Sequence, residues 1–458
     1  MKITKAQRKH ICELLEQKHD RTTIAQIVGV TPGQVSGVAA HLTMGTYVGG
    51  KKTAHQPDVK ADTFFASTIQ TVLDKPVNPK RPPGILLGRA RNGGASLYWD
   101  PPNSVNPHVL ILGESGFGKT YSISCLIAEL CQRGIPSIIF DYGQGFSAAS
   151  TDALFGRITR AQQLEASRDG IRLNPFEIFP SDLHGPVSVA QRVADTLARI
   201  YQSIGIQQHA TIRDAVIDIL EDAGIHKKVH ETWERPLPRF GLLRQKLQEY
   251  AEDFSSSDRK TPRTAASHIS SLFVFDIFRS DGNPIKWNDL LLSNGQPTVV
   301  QLRGIEQDLQ RTVTEFMIWN LLGFLESTGP SKLRCFVVID EAHRMISGPG
   351  SAIDKLLREG RKFGVGVILA SQQPEDFTPV AFSNTATKLI FQISDDNSAI
   401  SRRLYRKLHA PMAFSELYKI ITTLPRGEAF AITGNKGAVV KFAGFTERFR
   451  TKAISEGT

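Results

Sequence analysis

Apolar residues along this chain fall into two rhythms. The runs VLIL at 109–112, FVVI at 336–339 and VGVILA at 365–370 have the continuous apolar character of strands buried on both faces, and the more mixed PTVVQL at 297–302 and TKLIFQI at 387–393 read as further core strands. Between them, apolar residues recur at i, i+3 and i+4, as in Ile123, Leu126, Ile127 and Leu130 and again over Thr312 to Phe324. That alternation predicts an α/β fold with a parallel sheet. The same helical spacing in SVAQRVADTLARIYQS and ATIRDAVIDILEDAG predicts a helical insertion over about residues 185–285. Within it, the polar stretch SSSDRKTPRTAASH, 255–268, reads as a loop, either one touching phosphate or a plain surface loop. GEAFAITGNKGAVVKF reads as a closing hairpin turned at Gly434 to Gly437, followed by a tail, 446–458, without clear structure. The basic run SRRLYRK, 401–407, has the spacing of a solvated helix face and receives no role.

The first 48 residues form a separate small all-α pattern. Ala6 to Gln17 places Ile11, Leu14 and Leu15 on one helical face, and TTIAQIVGVTPGQVSGVAAHL follows it. Thr22 or Thr23 caps a helix ending at Val28, Gly29 makes a turn, and Thr31-Pro32 opens the next helix, so residues 1–48 read as a helix-turn-helix domain. Gln34, Ser36 and His41 are its candidates for touching bases or phosphates, and the lack of an arginine there argues against strong sequence readout. A trihelical protein-docking module fits the same pattern. Residues 49–83, rich in Gly, Pro and Lys, read as a linker, leaving 84–445 as the core.

Composition adds a partner and a compartment. The net charge of +10 is concentrated at the N-terminus, where residues 1–91 carry 14 Lys and Arg against 6 Asp and Glu, which suggests DNA bound mainly through its phosphates. No apolar run is long enough to span a membrane and the N-terminus lacks a signal-peptide pattern, so a cytoplasmic protein without membrane insertion is expected. Cys12, Cys125, Cys131 and Cys335 show no metal spacing and read as small buried hydrophobes.

The chemistry begins with NPHVLILGESGFGKTYSI, 106–123. A strand runs into Gly113, Glu114, Ser115, Gly116, Phe117, Gly118, Lys119 and Thr120, which match G-x-x-x-x-G-K-[ST], and an amphipathic helix follows. In such a loop the backbone N–H groups converge on the β-phosphate of ATP, Lys119 reaches the β and γ oxygens, and Thr120 ligates magnesium. CFVVIDEAHRM supplies the carboxylates that hydrolysis requires at the end of a neighbouring strand: Asp340 for the Mg ion and Glu341 for the attacking water. Alone, DEAH would equally suit another helicase class or an acidic strand end. Beyond it, Gln372 ends a strand where a polar side chain can sense the γ-phosphate. Arg358 and Arg361 are either solvated helix charges or an arginine finger for a neighbouring subunit.

The segments NPHVLILGESGFGKT, IIFDYGQGF, VVIDEAHR, LREGRKFGVGVILASQQP and LPRGEAFAI together resemble the HerA branch of the HerA/FtsK superfamily, over roughly residues 84–445. The resemblance implies a RecA-like P-loop NTPase core, a homo-hexamer with ATP and Mg between subunits, duplex DNA in the central channel, and a nuclease or other effector partner. It assigns Lys119, Thr120, Asp340, Glu341 and Gln372 the roles above and makes Arg358 or Arg361 the trans finger. HerA proteins usually begin with a small β-barrel, where this chain has its helical pattern, and about 220 residues separate Lys119 from Asp340. The expected function is an ATP-driven DNA translocase or helicase-like motor in DNA processing or antiviral defence. The alternatives are a coupling ATPase of a DNA transfer or secretion system, and an ATP-switched DNA-binding regulator.

Overall fold

A computed structural model of the chain describes residues 4–17, 20–31, 34–36, 38–39, 47–48, 51–52, 84–91, 96–253, 256–280, 284–345, 348–395, 398–408, 412–434 and 436–449. The chain divides into two compact units, Met1–Thr71 and Val72–Thr458.

In the first unit, α1 (Lys5–Glu16) starts with a capping box in which Thr4 Oγ1 accepts from Gln7 N at 3.3 Å and Gln7 Oε1 accepts from Thr4 N at 3.1 Å. Helix α2 (Arg21–Val28) is capped by Asp20, whose carboxylate accepts from the amides of Thr22 and Thr23. The cap is therefore not the expected Thr22 or Thr23 but an acid two and three residues before them, which starts the helix at Arg21. Gly29 ends the helix at φ 69°, a left-handed position that suits glycine. Thr31 and Gln34 form a second reciprocal cap at the start of residues 34–36, so Gln34 is engaged by the backbone. Ile11, Leu14, Ile24, Ala25, Val35 and Val38 close a small core. Tyr47–Val48 pairs antiparallel with Lys51–Lys52; His41 and residues 53–83 lie outside the described residues.

The second unit is organised by one sheet. Its strands are β1 (Ile85–Ala90), β2 (Ser96–Trp99), β3 (Val109–Leu112), β4 (Ser137–Asp141), β5 (Gln162–Glu165), β6 (Thr298–Gln301), β7 (Cys335–Ile339), β8 (Val365–Ser371), β9 (Thr387–Ile390), β10 (Glu428–Thr433) and β11 (Lys436–Phe442), ordered β2-β1-β11-β10-β9-β3-β8-β7-β4-β6-β5. From β9 to β5 all neighbours are parallel, as the alternation of strands and helices predicts. The expectation of a parallel sheet is incomplete at the other flank, where β10, β11, β1 and β2 add antiparallel strands. Thr433 pairs with Lys436, so the hairpin turn is tighter than expected and Gly437 belongs to β11.

Alternate residues of β3 feed two cores. Val109 and Ile111 pack with helix α3 (Lys119–Gln132), whereas Leu110 and Leu112 face a cluster that includes α4 (Pro186–Ile200), α5 (Ile206–Asp222), α6 (Leu242–Glu252), α7 (Lys260–His268) and α8 (Gln307–Thr328). Helix α7 replaces the loop expected at 255–268: Thr261, Pro262 and Ala265 are buried, and a run of polar residues concealed that apolar face. Likewise the expected tail begins with a helix, α11 (Phe445–Phe449), because Phe445 is buried and Arg448 pairs with Glu129 at 2.7 Å.

Glu315 of α8 is 2% exposed, and its Oε2 accepts from Ala352 N at 3.0 Å, satisfying an otherwise unpaired amide in the first turn of α9 (Ala352–Glu359). Burial lifts the carboxyl from 4.5 to about 7, while that amide and the Arg199 charge oppose the rise. The ionised form is thus disfavoured in the folded chain, so the stability present below the unfolded value is lost as pH rises through the folded one. Melting scans should show stability declining between pH 5 and 7, and Glu315→Gln, which keeps the acceptor and removes the titration, should flatten that decline. Equal slopes for the two proteins would show that Glu315 does not set it.

Candidate nucleotide site

The loop after β3 turns back through glycines with positive φ, Gly113 at 150°, Gly116 at 85° and Gly118 at 107°. A Cβ on Gly113 would lie 2.5 Å from Phe391 Cβ, so the loop closes onto β9 only with glycine there. Its first amides are fixed from both neighbouring strands, Gly113 N donating to Ser371 O at 3.3 Å and Glu114 N to Gln392 O at 2.9 Å. Helix α3 then starts at Lys119 with its N-terminus facing the loop.

A cleft of about 240 Å³ opens over this loop. Ser115, Gly116, Gly118, Lys119 and Thr120 line it together with Asp340, Glu341 and Gln372. Gly113, Glu114 and Phe117 lie behind it; the Glu114 carboxylate accepts from Ser394 N at 2.7 Å, and Phe117 packs on the core. Lys119 Nζ donates to Glu114 O at 2.8 Å. Burial lowers the pKa of this ammonium, against the opposing charges of Asp340, Glu341 and Glu114. Asp340, 9% exposed, is raised by burial, against the hydroxyl of Thr120, which donates to its Oδ2 at 2.6 Å, and the charge of Lys119. This hydroxyl–carboxylate pair is a hard, all-oxygen donor set at the mouth of a positively polarised helix, the chemistry that fits magnesium beside phosphate.

Glu341 takes a left-handed conformation, φ 62° and ψ 53°, a strained geometry for a residue with a side chain. Its amide donates to Asp340 Oδ1 at 3.1 Å, and its carboxylate pairs with Arg344 Nε at 2.7 Å. Gln372 lies between two residues bound to one acid: Ser371 Oγ and Gln373 N donate to Asp376 Oδ2 at 2.5 and 3.1 Å. The turn bearing Asp376 is in turn held by α10 (Ala399–Leu408). Lys407 Nζ donates to the carbonyls of Pro374 and Phe377, and Arg403 pairs with Glu375. Part of the basic run at 401–407 therefore braces the turn after Gln372 instead of facing solvent alone.

Arg358 and Arg361 are exposed and do not line the cleft. Arg358, at the end of α9, pairs with Asp354 at 2.9 Å, and Arg361 falls on a 3-10 turn, Gly360–Phe363, beyond the helix expected to carry it. That turn precedes β8, whose far end carries Gln372, so a strand of about 20 Å separates Arg361 from its own cleft.

Two contributors escaped the sequence reading. Asp141, at the end of β4, accepts from the amides of Gly143 and Phe146 and from Gln301 Nε2, shaping a loop that presses Gly145 against Thr120. The signal was an acid followed by Gly-x-Gly in IIFDYGQGF. Arg426 also lines the cleft; it sits in LPRGEAFAI, a segment that carries the family resemblance, but no role was read for it there.

A phosphate-binding loop at the centre of a mostly parallel sheet, faced by an acidic strand end, defines a P-loop NTPase fold and site. Residues 85–321, just over half of the chain, match the family described as Helicase HerA, central domain. The "Probable DNA double-strand break repair helicase HerA" of Methanocaldococcus jannaschii is 34% identical over 398 residues, covering 77% of this chain and 74% of that protein. The chain therefore belongs to the HerA family. The DNA double-strand break repair helicase HerA of Saccharolobus solfataricus is 24% identical over 354 residues, and the match spans 74% of this chain but 63% of that relative's length. Among solved structures, VirB4 of Thermoanaerobacter pseudethanolicus shares the fold with a TM-score of 0.65 at 15% identity, covering 81% of this chain and 99% of that one. The plasmid coupling protein TrwB in complex with ADP and Mg2+ does so at 0.54 and 16%, covering 80% and 92%.

A Cβ at position 145 would lie 2.8 Å from Thr120 Cγ2, and any rotation of Thr120 that relieves this also moves the hydroxyl bound to Asp340. Gly145→Ala should therefore weaken magnesium-dependent nucleotide binding about tenfold while leaving magnesium-free binding nearly unchanged. Titrations with and without magnesium check this, and equal affinities of the variant and parent would refute the packing argument.

Proposed function

We propose that this chain is an ATP-hydrolysing DNA translocase of helicase type, working as a homo-hexameric ring in the cytoplasm with DNA in its channel. The observation that carries this reading is the convergence of Lys119, Thr120, Asp340, Glu341 and Gln372 on one cleft, from segments spread over more than half of the chain. Lys119 and the loop amides would hold the β- and γ-phosphates; Thr120 and Asp340 would hold magnesium, which when bound would supply neutralisation of phosphate charge. Glu341 orients the attacking water and Gln372 reads the γ-phosphate. Glu341 lines the cleft while one of its carboxylate oxygens pairs with Arg344, which leaves the other for the water.

The separation of Arg361 from its own cleft supports a finger acting on a neighbouring copy, with Arg361 ahead of Arg358 because Asp354 already neutralises the latter. The first unit, read as a helix-turn-helix, adds phosphate contacts from the basic N-terminal residues. Service in DNA processing or antiviral defence, with a nuclease-type effector, completes the reading. A second reading, a coupling ATPase for DNA transfer, draws on the fold shared with TrwB and VirB4. Among the described residues no helix is long and apolar enough to cross a membrane.

Duplex DNA should stimulate ATP hydrolysis. Glu341→Gln should keep ATP affinity while losing about 100-fold or more in turnover. Arg361→Ala should fall similarly, and mixing it with Glu341→Gln subunits should restore activity at interfaces that pair an intact glutamate with an intact arginine. Mixed rings that stay inactive would remove the trans finger, and full turnover by Glu341→Gln would remove the assignment of the water-orienting group.

Deleting residues 1–48 should leave hydrolysis intact and make DNA binding less salt-dependent, since each neutralised phosphate contributes a slope of roughly −0.9 in log K against log salt. Anisotropy across a salt series measures it. An unchanged slope would mark the N-terminal unit as a protein-docking module, and a single preferred sequence would favour the regulator over the motor.

A further inference from the structure

The cleft is built from two flanks of β3. Leu112, the last residue before the loop, is in register with Ser371 of β8 on one side and with Ile390 of β9 on the other. Apart from Lys119 and Thr120 of the loop and its helix, the groups assigned to the γ-phosphate and magnesium, namely Asp340, Glu341 and Gln372, come from the β8–β7 flank. The opposite flank is closed by β10, which runs antiparallel to β9 with Ile390 opposite Phe430, so the start of β10 lies at the loop end of the sheet. The turn just before it, Pro425-Arg426-Gly427, docks on the loop itself. Gly427 N donates to Phe117 O at 3.2 Å, and a Cβ on Gly118 would lie 4.0 Å from Gly427 Cα. Phe442 N donates to Gly427 O at 2.9 Å, tying the turn to β11.

This docking sets Arg426 on the rim of the cleft, exposed, and among the described residues no hydrogen bond or ion pair engages its guanidinium. The neighbouring carboxylate, Glu428, is taken by Arg91 at 3.7 Å. A triphosphate laid along the loop with its terminal phosphate beside Asp340 and Gln372 would direct its nucleoside end toward the β9–β10 flank.

Resting on the reading of this cleft as an ATP site, we propose that Arg426 binds nucleotide in cis, its guanidinium holding the phosphates at the nucleoside end. It is thereby distinct in place and in partner from an arginine donated by a neighbouring subunit. A planar fork of donors suits two phosphate oxygens at once, and a group on that side acts on ATP and ADP alike. Its contribution is to binding, with no special demand at the transition state.

The test compares Arg426→Ala and Arg426→Lys with the parent in calorimetric titrations with ATP and ADP, and in steady-state hydrolysis. Arg426→Ala should weaken both nucleotides by about the same factor, roughly tenfold, and raise KM while kcat stays within about twofold; Arg426→Lys should recover part of the loss. Unchanged affinity for both nucleotides, or a loss confined to ATP and accompanied by a fall in kcat, would overturn the proposal. Thermal melts of both variants report folding, and Arg426→Lys carries the test if the alanine variant melts early. Lys119→Ala in the same titrations separates the two levels: if it binds ATP like the parent, the cleft is not the ATP site; if it fails to bind and Arg426→Ala binds normally, only the role of Arg426 is lost.

Discussion

One hydrogen bond gathers the nucleotide site together. Thr120 Oγ1 and Asp340 Oδ2, 2.6 Å apart, join the loop after β3 to the end of β7 across the intervening strand β8. Asp340 is buried and Thr120 half-buried, so the carboxylate is held in the fold by the hydroxyl and by the charge of Lys119 against a desolvation that disfavours its ionisation. Asp141 acts behind this pair: it folds the loop after β4 so that Gly145 bears on Thr120, and the hydroxyl is confined from both sides. A pair so arranged is preorganised for a cation and costs little to rearrange when one binds.

The same logic extends outward through the sheet. Parallel strands deliver their C-terminal ends to one edge, and the loops that leave them carry Lys119, Asp340, Glu341 and Gln372. Gln372 is positioned by neighbours that bind Asp376, and that turn is braced by Lys407 and Arg403 from α10. At the other edge of the sheet, Arg358 and Arg361 are exposed where no group of their own cleft can be reached. The chain thus presents a cleft at one end of its strands and cations at the other, the polarity that the proposed ring would use.

The central strands were legible because a strand buried on both faces is apolar at nearly every position, and β3, β7 and β8 announce themselves that way, while β9, buried throughout, carries Thr387 and Lys388 beside its Leu389 and Ile390. The outlying strands were not. In β5, QQLE shows no buried residue, and β2, SLYW, buries only Trp99; pairing with a neighbour, not side-chain character, makes them strands. Helix α7 was hidden for a related reason, since its buried face is built from Thr261, Pro262 and Ala265, residues that also fill loops.

By itself the sequence determined the phosphate loop, its following helix, the acidic strand end and the strand leading to Gln372, because local backbone geometry and continuous burial leave their mark in consecutive residues. The tertiary structure decided which of these distant segments meet. Strand order put β7 and β8 on one flank of the loop and β10 on the other, and from that order alone Arg426 came to face the same cleft as Lys119. The segment around Arg426, LPRGEAFAI, carries the family resemblance, but its local pattern does not say which cleft the arginine faces. That placement follows from hydrogen bonds between chain segments about 300 residues apart, such as Gly427 N to Phe117 O, which form only when the whole sheet has closed.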